Sequence, residues 1–497
     1  MKLNKSQLEA VNHKQGPLLI IAGAGTGKTA VLINRIKNII EKGWALPDEI
    51  LALTFTEKSA KEMKERLDVS LPYGFAEIEV STFHSFADRI LRQECLYLGL
   101  DPNYTLMTSS DSYVFFRKNI FNFSLDRFRP LGNPTKFIDE ILKFYSRLQD
   151  EDVSVDDYTK YVESLPINTE EQGAYYEESK ELSIVYKEFS ELKKKESRLD
   201  FSDLISILIE LFRKKPNILK KYHEKYKYIL VDEYQDTNYT QNILVNMIAL
   251  GKDQERAKKG EKKLANITVV GDDDQAIYKF RGAAISNIIQ FRTIYPTVKK
   301  VVLNENYRSR QEILDAAYKL IGNNNPNRLE VTESIDKRLV AKGEFKDIGE
   351  DIVKTIITKY ENQECEEIVK EIKRLVEEEK RYTYSDIAVL VRANSHSSEL
   401  INNFKYYSIP YKFGGNRDLY SVSSIKQLIS YLRLVADYTD DSSFFNLLSI
   451  PFLNISPKEI VDILRESKRL KQDIYTTLLF NINDVNNDVV KKINKES

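Results

Sequence analysis

The stretch AGAGTGKT at residues 22–29 decides the fold, because it joins an apolar run to a helical pattern. Leu18 to Ile21 are typical of a buried strand, and apolar residues recur at helical spacing from Val31 to Ile40. Glycines between a strand and a helix let the backbone curl, so that successive N–H groups point at anionic oxygens. Ala22, where the strict pattern has glycine, is a small residue and a mild departure. The sequence therefore predicts a loop that cradles phosphates.

The side chains of this loop predict that the phosphates belong to a nucleoside triphosphate. Lys28 can reach the terminal phosphates, and the Thr29 hydroxyl can ligate Mg²⁺. A glycine-rich turn with a chance lysine is the alternative, and the flanking strand and helix argue against it. We expect contacts to ATP from Ala22, Gly23, Ala24, Gly25, Thr26, Gly27, Lys28, Thr29 and Ala30.

Length and composition bound the remaining possibilities. A chain of 497 residues exceeds one hydrophobic core, so two or more domains are expected. No apolar stretch reaches membrane-spanning length and the N-terminus lacks a secretory signal, so we expect a cytoplasmic protein without a membrane partner. Two cysteines and four histidines without ligand spacing argue against a disulfide framework or a zinc site. The net charge of −1 neither demands nor excludes nucleic acid.

Short apolar runs separated by helical patterns predict an α/β fold with a parallel sheet covered on both faces. After the first strand, the runs are 51–56, 228–232, 267–272 and 301–303. Between them, residues 86–211 are almost wholly helical in pattern and predict an inserted helical domain without strands. Further along, residues 386–392 and 411–415 predict two more strands around a helix at 397–407.

Polar residues that follow the predicted strands are candidates for the chemistry, since ligands of open α/β sheets bind at the carboxyl ends of the strands. Asp232 can hold Mg²⁺ and Glu233 can orient or deprotonate a water, although such a pair is also common as a helix cap. Gln275 can hydrogen-bond a γ-phosphate or the water beside it, and an Asp-rich turn is its alternative. Arg308 can supply positive charge and Tyr307 a stacking surface, although an arginine there is more often a surface residue.

Aromatic and hydroxyl residues near other strand ends are candidates for contact with nucleic acid. Aromatic rings stack on bases without reading sequence, while hydroxyls and arginine hold phosphates. Taken singly, each aromatic is more often a core residue. The candidate segments are Phe55 between Thr54 and Thr56, Thr82-Phe83-His84-Ser85, and Tyr278-Lys279-Phe280-Arg281.

Taken together in chain order, these segments resemble the UvrD/Rep/PcrA group of superfamily-one DNA helicases. Beside the phosphate loop, the resemblance is carried by Leu3-Asn4 with Gln7, LALTFTEKSAKEM (51–63), STFHSF (81–86), LDFSDL (199–204), VDEYQDTN (231–238), VVGDDDQAIYKFRGA (269–283) and LNENYRS (303–309). It implies P-loop, RecA-like motor domains with inserted helical accessory domains. The implied divisions are 1–85 and 212–281 for the first motor domain, 86–211 for its insertion, 282–415 for the second motor domain and 416–497 for a second accessory domain.

The resemblance also implies roles for individual residues. Gln7 would read adenine, Arg35 would lie near the nucleotide and Tyr307 would stack on the base. Hydrolysis would use Lys28, Thr29, Asp232, Glu233, Gln275 and Arg308, with ATP and Mg²⁺ as cofactors. Single-stranded DNA and duplex junctions would be the partners, on Phe55, Thr82, His84, Tyr278, Phe280 and Arg281, with movement 3′ to 5′.

The family's last motifs are missing after residue 392, so the second motor domain is expected to be incomplete. Three interpretations stay open at this level. The chain is an ATP-dependent helicase sequence, as a fragment or as one half of a split enzyme whose partner polypeptide supplies the rest. It is instead a nucleotide- and DNA-binding module with impaired hydrolysis. Or it belongs to a helicase-nuclease subunit whose nuclease lies beyond Ser497.

Overall fold

A computed structural model describes residues 3–71, 78–251, 265–277, 286–343, 352–414, 422–450 and 453–483. The chain forms two compact units, Met1–Lys354 and Thr355–Ser497. No helix among the described residues is both long and apolar enough to cross a bilayer.

The first unit is built on a parallel sheet. The strands of this unit are β1 Leu18–Ala22, β2 Ile50–Thr54, β3 Glu79–Thr82, β4 Thr105–Met107, β5 Arg198–Asp200, β6 Tyr228–Val231, β7 Ile267–Gly271, β8 Lys299–Leu303, β9 Glu305–Asn306 and β10 Val340–Ala341. The strand order in the sheet is β3-β2-β6-β7-β1-β8. Two small parallel pairs, β4 with β5 and β9 with β10, lie outside it.

Helices cover the sheet and form the insertion and the second unit. In the first unit they are α1 Lys5–Asn12, α2 Lys28–Glu41, α3 Glu57–Ser70, α4 Phe83–Glu94, α5 Ser109–Asn119, α6 Ile138–Asp150, α7 Val155–Glu163, α8 Glu170–Lys195, α9 Phe201–Lys214, α10 Pro216–Lys225, α11 Tyr239–Leu250, α12 Ser286–Ile294, α13 Gln311–Ile321 and α14 Leu329–Thr332. In the second unit they are α15 Glu361–Lys373, α16 Ser397–Tyr406, α17 Ser423–Ala436, α18 Asp441–Leu448, α19 Pro457–Leu470 and α20 Ile474–Asn483.

The central strands are buried on both faces, which explains why they are apolar without alternation. In β1, Leu19 and Ile21 join a core with α4, α9 and α11, whereas Leu18 and Ile20 join a core with α1, α2 and α3. Successive residues of a strand point to opposite faces, so one apolar run supplies both cores. The α/β fold class predicted from the sequence is confirmed.

The inserted helical region has a core of its own, but its ends belong to the sheet. Phe116, Tyr145 and Phe189 lie in the insertion's core, whereas residues of α4 and α9 pack in the core of the sheet. The helical bundle proper is therefore narrower than the predicted 86–211. The prediction of no strands there was wrong, since β4 and β5 pair in parallel. Their three residues each are too few to produce a periodic signal.

Two further predictions differ from the structure. β8 pairs with β1, so Lys299–Leu303 completes the first sheet, although the expected boundary at residue 282 assigned it to the second motor domain. In the second unit, no strand forms among the described residues at 386–392 and 411–414, and Leu390 is 94% exposed. A strand needs a hydrogen-bonded neighbour, and the described part of this unit offers none. The predicted helix at 397–407 is confirmed as α16.

Candidate functional site

The loop after β1 has the backbone that its glycines require. Gly25 and Gly27 have φ values of +76° and +85°, and Gly27 precedes the first residue of α2. A Cβ on Gly25 would lie 2.7 Å from both Arg308 Cβ and Asn306 Nδ2, so only glycine fits beneath that segment. Asn306 Nδ2 also donates to Ala24 O at 2.6 Å. The loop that follows β8 is therefore packed directly on the predicted phosphate cradle.

Lys28 is the point where three loops meet. Its ammonium donates to Glu233 Oε2 at 2.8 Å and to Gln275 Oε1 at 3.2 Å. Gln235 Nε2 also donates to Glu233 Oε2 at 2.8 Å, and Gln235 Oε1 accepts from Asp272 N at 3.0 Å. The loops after β1, β6 and β7 are thus joined by side chains at the carboxyl edge of the sheet, where the sequence predicted the site.

The acidic pair after β6 has the properties expected of a cation site. Asp232 is 7% exposed, and burial, aided by the neighbouring Glu233, raises its pKa to about 6. Glu233 adopts φ +48°, a conformation rare for residues other than glycine, and its N–H donates to Asp232 Oδ1 at 3.0 Å. A buried carboxylate that ionises reluctantly gains from a nearby cation. Asp232 is thus a suitable ligand for Mg²⁺, which is a hard cation bound by oxygen. The hydroxyl of Thr29, in the first turn of α2, offers an oxygen of the same kind.

Gln7 and Tyr307, the two residues expected to contact the adenine base, both lie near the start of α1. Gln7 is buried, forms a reciprocal capping box with Asn4, and donates from Nε2 to Thr26 O at 2.9 Å. Asn4 Nδ2 donates to the Tyr307 hydroxyl at 3.0 Å, and the Tyr307 N–H donates to Gly25 O at 2.9 Å. Gln7 and Tyr307 therefore border the phosphate loop on the side of α1.

The two predicted arginines are placed differently. Arg308 is exposed, next to the loop at Gly25. Arg35 is buried, and its guanidinium donates to Ala10 O, His13 O and Thr268 Oγ1. Thr268 lies near the amino end of β7, whereas the phosphate loop follows the carboxyl end of β1. These hydrogen bonds of Arg35 therefore join α1 and α2 to the sheet and do not bring it to the proposed nucleotide site.

Phe55 and His84, two of the candidate DNA residues that the structure describes, line a groove beside this site. Phe55 and His84 border a cavity of about 910 Å³ together with Phe201, whose ring meets that of His84 edge-on at 6.0 Å. Burial lowers the pKa of His84, so the ring is neutral near pH 7. Thr82 is different, because it is 4% exposed, caps α4 and donates to Glu57 Oε1 at 2.7 Å. Tyr278, Phe280 and Arg281 lie outside the described residues.

Three residues that line the groove or hold the loops of the candidate site together were not predicted from the sequence. Phe201 belongs to the LDFSDL motif, and its 48% exposure in the groove marks it as more than a core residue. Gln235 and Asn306 also lie inside recognised motifs, but their hydrogen-bonding roles become visible only in three dimensions.

The amino-acid sequence matches known protein families. Residues 3–296 match the family described as UvrD/REP helicase N-terminal domain, and residues 301–497 match UvrD-like helicase C-terminal domain. A Staphylococcus epidermidis protein named ATP-dependent DNA helicase PcrA is 35% identical over 462 residues, which cover 93% of this chain and 57% of that protein. A Staphylococcus aureus protein of the same name is 33% identical over 458 residues, covering 92% and 57%.

The chain thus spans 57% of the length of these relatives. The motifs quoted from the sequence lie inside the two matched ranges, and Lys28, Glu233 and Gln275 meet at one edge of the sheet. The chain belongs to the UvrD/Rep helicase family.

Proposed function

We propose that this chain carries the ATP-hydrolysing site of a 3′-to-5′ DNA helicase that moves on single-stranded DNA and uses Mg-ATP. The proposal depends on one observation: Lys28, which follows β1, contacts both Glu233 after β6 and Gln275 after β7. ATP hydrolysis is largely a matter of positioning and charge stabilisation, and this arrangement supplies both.

Each residue has a defined task in this proposal. Lys28 binds the terminal phosphates, Tyr307 stacks on adenine beside Gln7, and Arg308 adds positive charge. Glu233 accepts a proton from water as the water oxygen bonds to the γ-phosphorus and the bond to the ADP oxygen breaks. Mg²⁺, held by Thr29 and Asp232, would neutralise charge on the phosphates.

The groove beside the site supports the choice of substrate. Phe55 and Phe201 line the same cavity, and aromatic rings suit stacking on the bases of one strand. Asp236 and Asn238, on the segment that follows Glu233, line the same cavity. DNA in the groove would therefore lie against the loop that holds the proposed base.

Phosphate release with and without single-stranded DNA tests the hydrolysis. We expect DNA-stimulated turnover in the wild-type chain, its loss in Lys28→Ala and Glu233→Gln, and no change in Lys37→Ala. Lys37 is the matched control, because it lies on the same helix with 38% of its side chain exposed. A wild-type rate no greater than that of Glu233→Gln would reject hydrolysis by this chain.

A binding measurement tests the groove separately. Phe55→Ala should weaken binding of labelled single-stranded DNA by about 1–3 kcal/mol, whereas Phe121→Ala, 75% exposed elsewhere, should not. Equal affinity of Phe55→Ala and wild type would remove Phe55 from the DNA path. Unwinding of duplexes with a 3′ or a 5′ tail then tests the direction of movement.

A further inference from the structure

A buried lysine that no motif contains lies beside Gln275, among three carboxylates. Lys337 Nζ is 2.6 Å from Asp272 Oδ1, 2.5 Å from Asp273 Oδ1 and 2.7 Å from Asp274 Oδ2, and its side chain is 5% exposed. Burial disfavours the charged ammonium, but the Asp272 and Asp273 carboxylates outweigh it and raise the pKa of Lys337. Lys337 is therefore a permanent cation at this position.

The three carboxylates have different second partners. Arg328 donates to both oxygens of Asp274 at 2.7 Å, and Leu329 N donates to Asp273 Oδ2 at 2.8 Å. Asp272 Oδ2 instead accepts from Gln275 Nε2 at 2.7 Å. Asp272 is thus the carboxylate of this cluster that connects Lys337 to the nucleotide site.

The chemistry of these partners fixes the direction in which the Gln275 amide points. Asp272, when ionised, can only accept, so it faces the amide nitrogen, while the Lys28 ammonium can only donate, so it faces the amide oxygen. The amide oxygen cannot donate to a phosphate. It can accept a hydrogen bond from a water molecule.

We propose that Lys337 is a positioning residue for hydrolysis: it occupies one oxygen of Asp272, so that the other holds Gln275 Nε2 and Gln275 Oε1 faces the attacking water. The inference rests on the proposed ATP hydrolysis. Lys337 lies in the part of the chain that matches the C-terminal family domain, whereas Asp272 and Gln275 lie in the part that matches the N-terminal one. Through its contact with Asp272, a residue of the C-terminal family domain would therefore help to position the attacking water in the N-terminal one.

Substitution at Asp272 and Asp273 gives a matched pair, because each removes one charge from a contact with Lys337. In Asp272→Asn, Lys337 takes the only side-chain oxygen, so the new amide nitrogen faces Gln275 and forces its amide to turn over. Asp273→Asn keeps the Asp272–Gln275 bond. The two variants should therefore differ at the water position, although their changes in charge are equal.

The test compares the affinity of fluorescent ADP with and without aluminium fluoride, in the presence of Mg²⁺. Aluminium fluoride with ADP mimics the transferring phosphoryl group and its in-line water, and analogues of a transition state bind more tightly than ground-state ligands. We expect Lys337→Met, Asp272→Asn and Gln275→Ala to lose about tenfold or more of the tightening, with ADP affinity unchanged. Asp273→Asn should retain the tightening of ADP binding by aluminium fluoride. The double variant Gln275→Ala/Lys337→Met should lose no more of this tightening than Gln275→Ala alone.

While ADP still binds, the inference would be overturned by wild-type tightening in Lys337→Met or by equal losses in Asp272→Asn and Asp273→Asn. Absence of tightening in the wild type would overturn it as well. Absence of ADP binding by the wild type would refute the nucleotide site itself and the inference with it. Because ADP affinity also reports folding, Asp272→Asn, nearly isosteric, decides the question if Lys337→Met fails to fold.

Discussion

Replacing Asp232 with asparagine should make the nucleotide-free protein more stable while removing its use of Mg²⁺. Burial raises the Asp232 pKa from 3.8 to about 6, so the folded chain holds this proton more tightly than the unfolded chain. Between those two pH values the folded state binds more protons, and the free energy of unfolding therefore falls as pH rises. At about 1.36 kcal/mol per pKa unit, the ionised carboxylate costs about 3 kcal/mol above pH 6.

Asparagine removes that charge and keeps an oxygen for the Glu233 N–H. Because its amide nitrogen also needs a partner in a buried place, we expect a gain of about 1–3 kcal/mol near pH 7.5 and little difference near pH 4. Urea unfolding followed by the fluorescence of Trp44, the single tryptophan, suits this measurement, since Trp44 packs against the core of the sheet.

Asp68→Asn is the control for this experiment, because Asp68 is exposed on α3 and should change stability by less than about 0.5 kcal/mol. Added Mg-ATP should stabilise the wild type and not Asp232→Asn. If Asp232→Asn were less stable than the wild type near pH 7.5, the assigned cost of the buried charge would be incorrect.

Two further predictions concern the same unit. Lys193→Met should lower the free energy of unfolding by about 3–5 kcal/mol, because Asp200 and Asp203 would lose the buried ammonium that contacts each of them at 2.7 Å. The control is Lys187→Met, an exposed position on the same helix, which should have little effect on urea unfolding. Gly25→Ala should abolish binding of fluorescent ADP, because its Cβ would meet Asn306, while Gly43→Ala, also at positive φ but with nothing within 4 Å, should retain binding. Equal ADP affinity in the two glycine variants would show that crowding at the loop is unimportant.

The parts of the fold that could be predicted are those whose signal is local. The strand before the phosphate loop, the loop itself and α2 are contiguous, so periodicity and glycine placement suffice. The acidic pair and Gln275 could be predicted as well, because parallel strands bring their carboxyl ends to one edge.

What could not be predicted depends on contacts between distant segments. Lys337 is one of many lysines in the sequence, and its burial among carboxylates of the loop after β7 leaves no pattern in the sequence near it. Arg35 resembles any polar residue on a helix, yet it is buried because Ala10 and His13 carbonyls surround it. The segment 386–392 shows the opposite case, since a strand-like composition does not form a strand without a neighbour.

The contact between Lys28 and Glu233 bears on which anions the proposed site would bind. Free inorganic phosphate or sulfate would have to separate this pair and leave Glu233 facing a second negative charge. A ligand that arrives already complexed with a divalent cation brings compensation for both. On the proposed function, the Lys28–Glu233 pair would therefore favour a metal-bound polyphosphate over simple anions such as phosphate and sulfate.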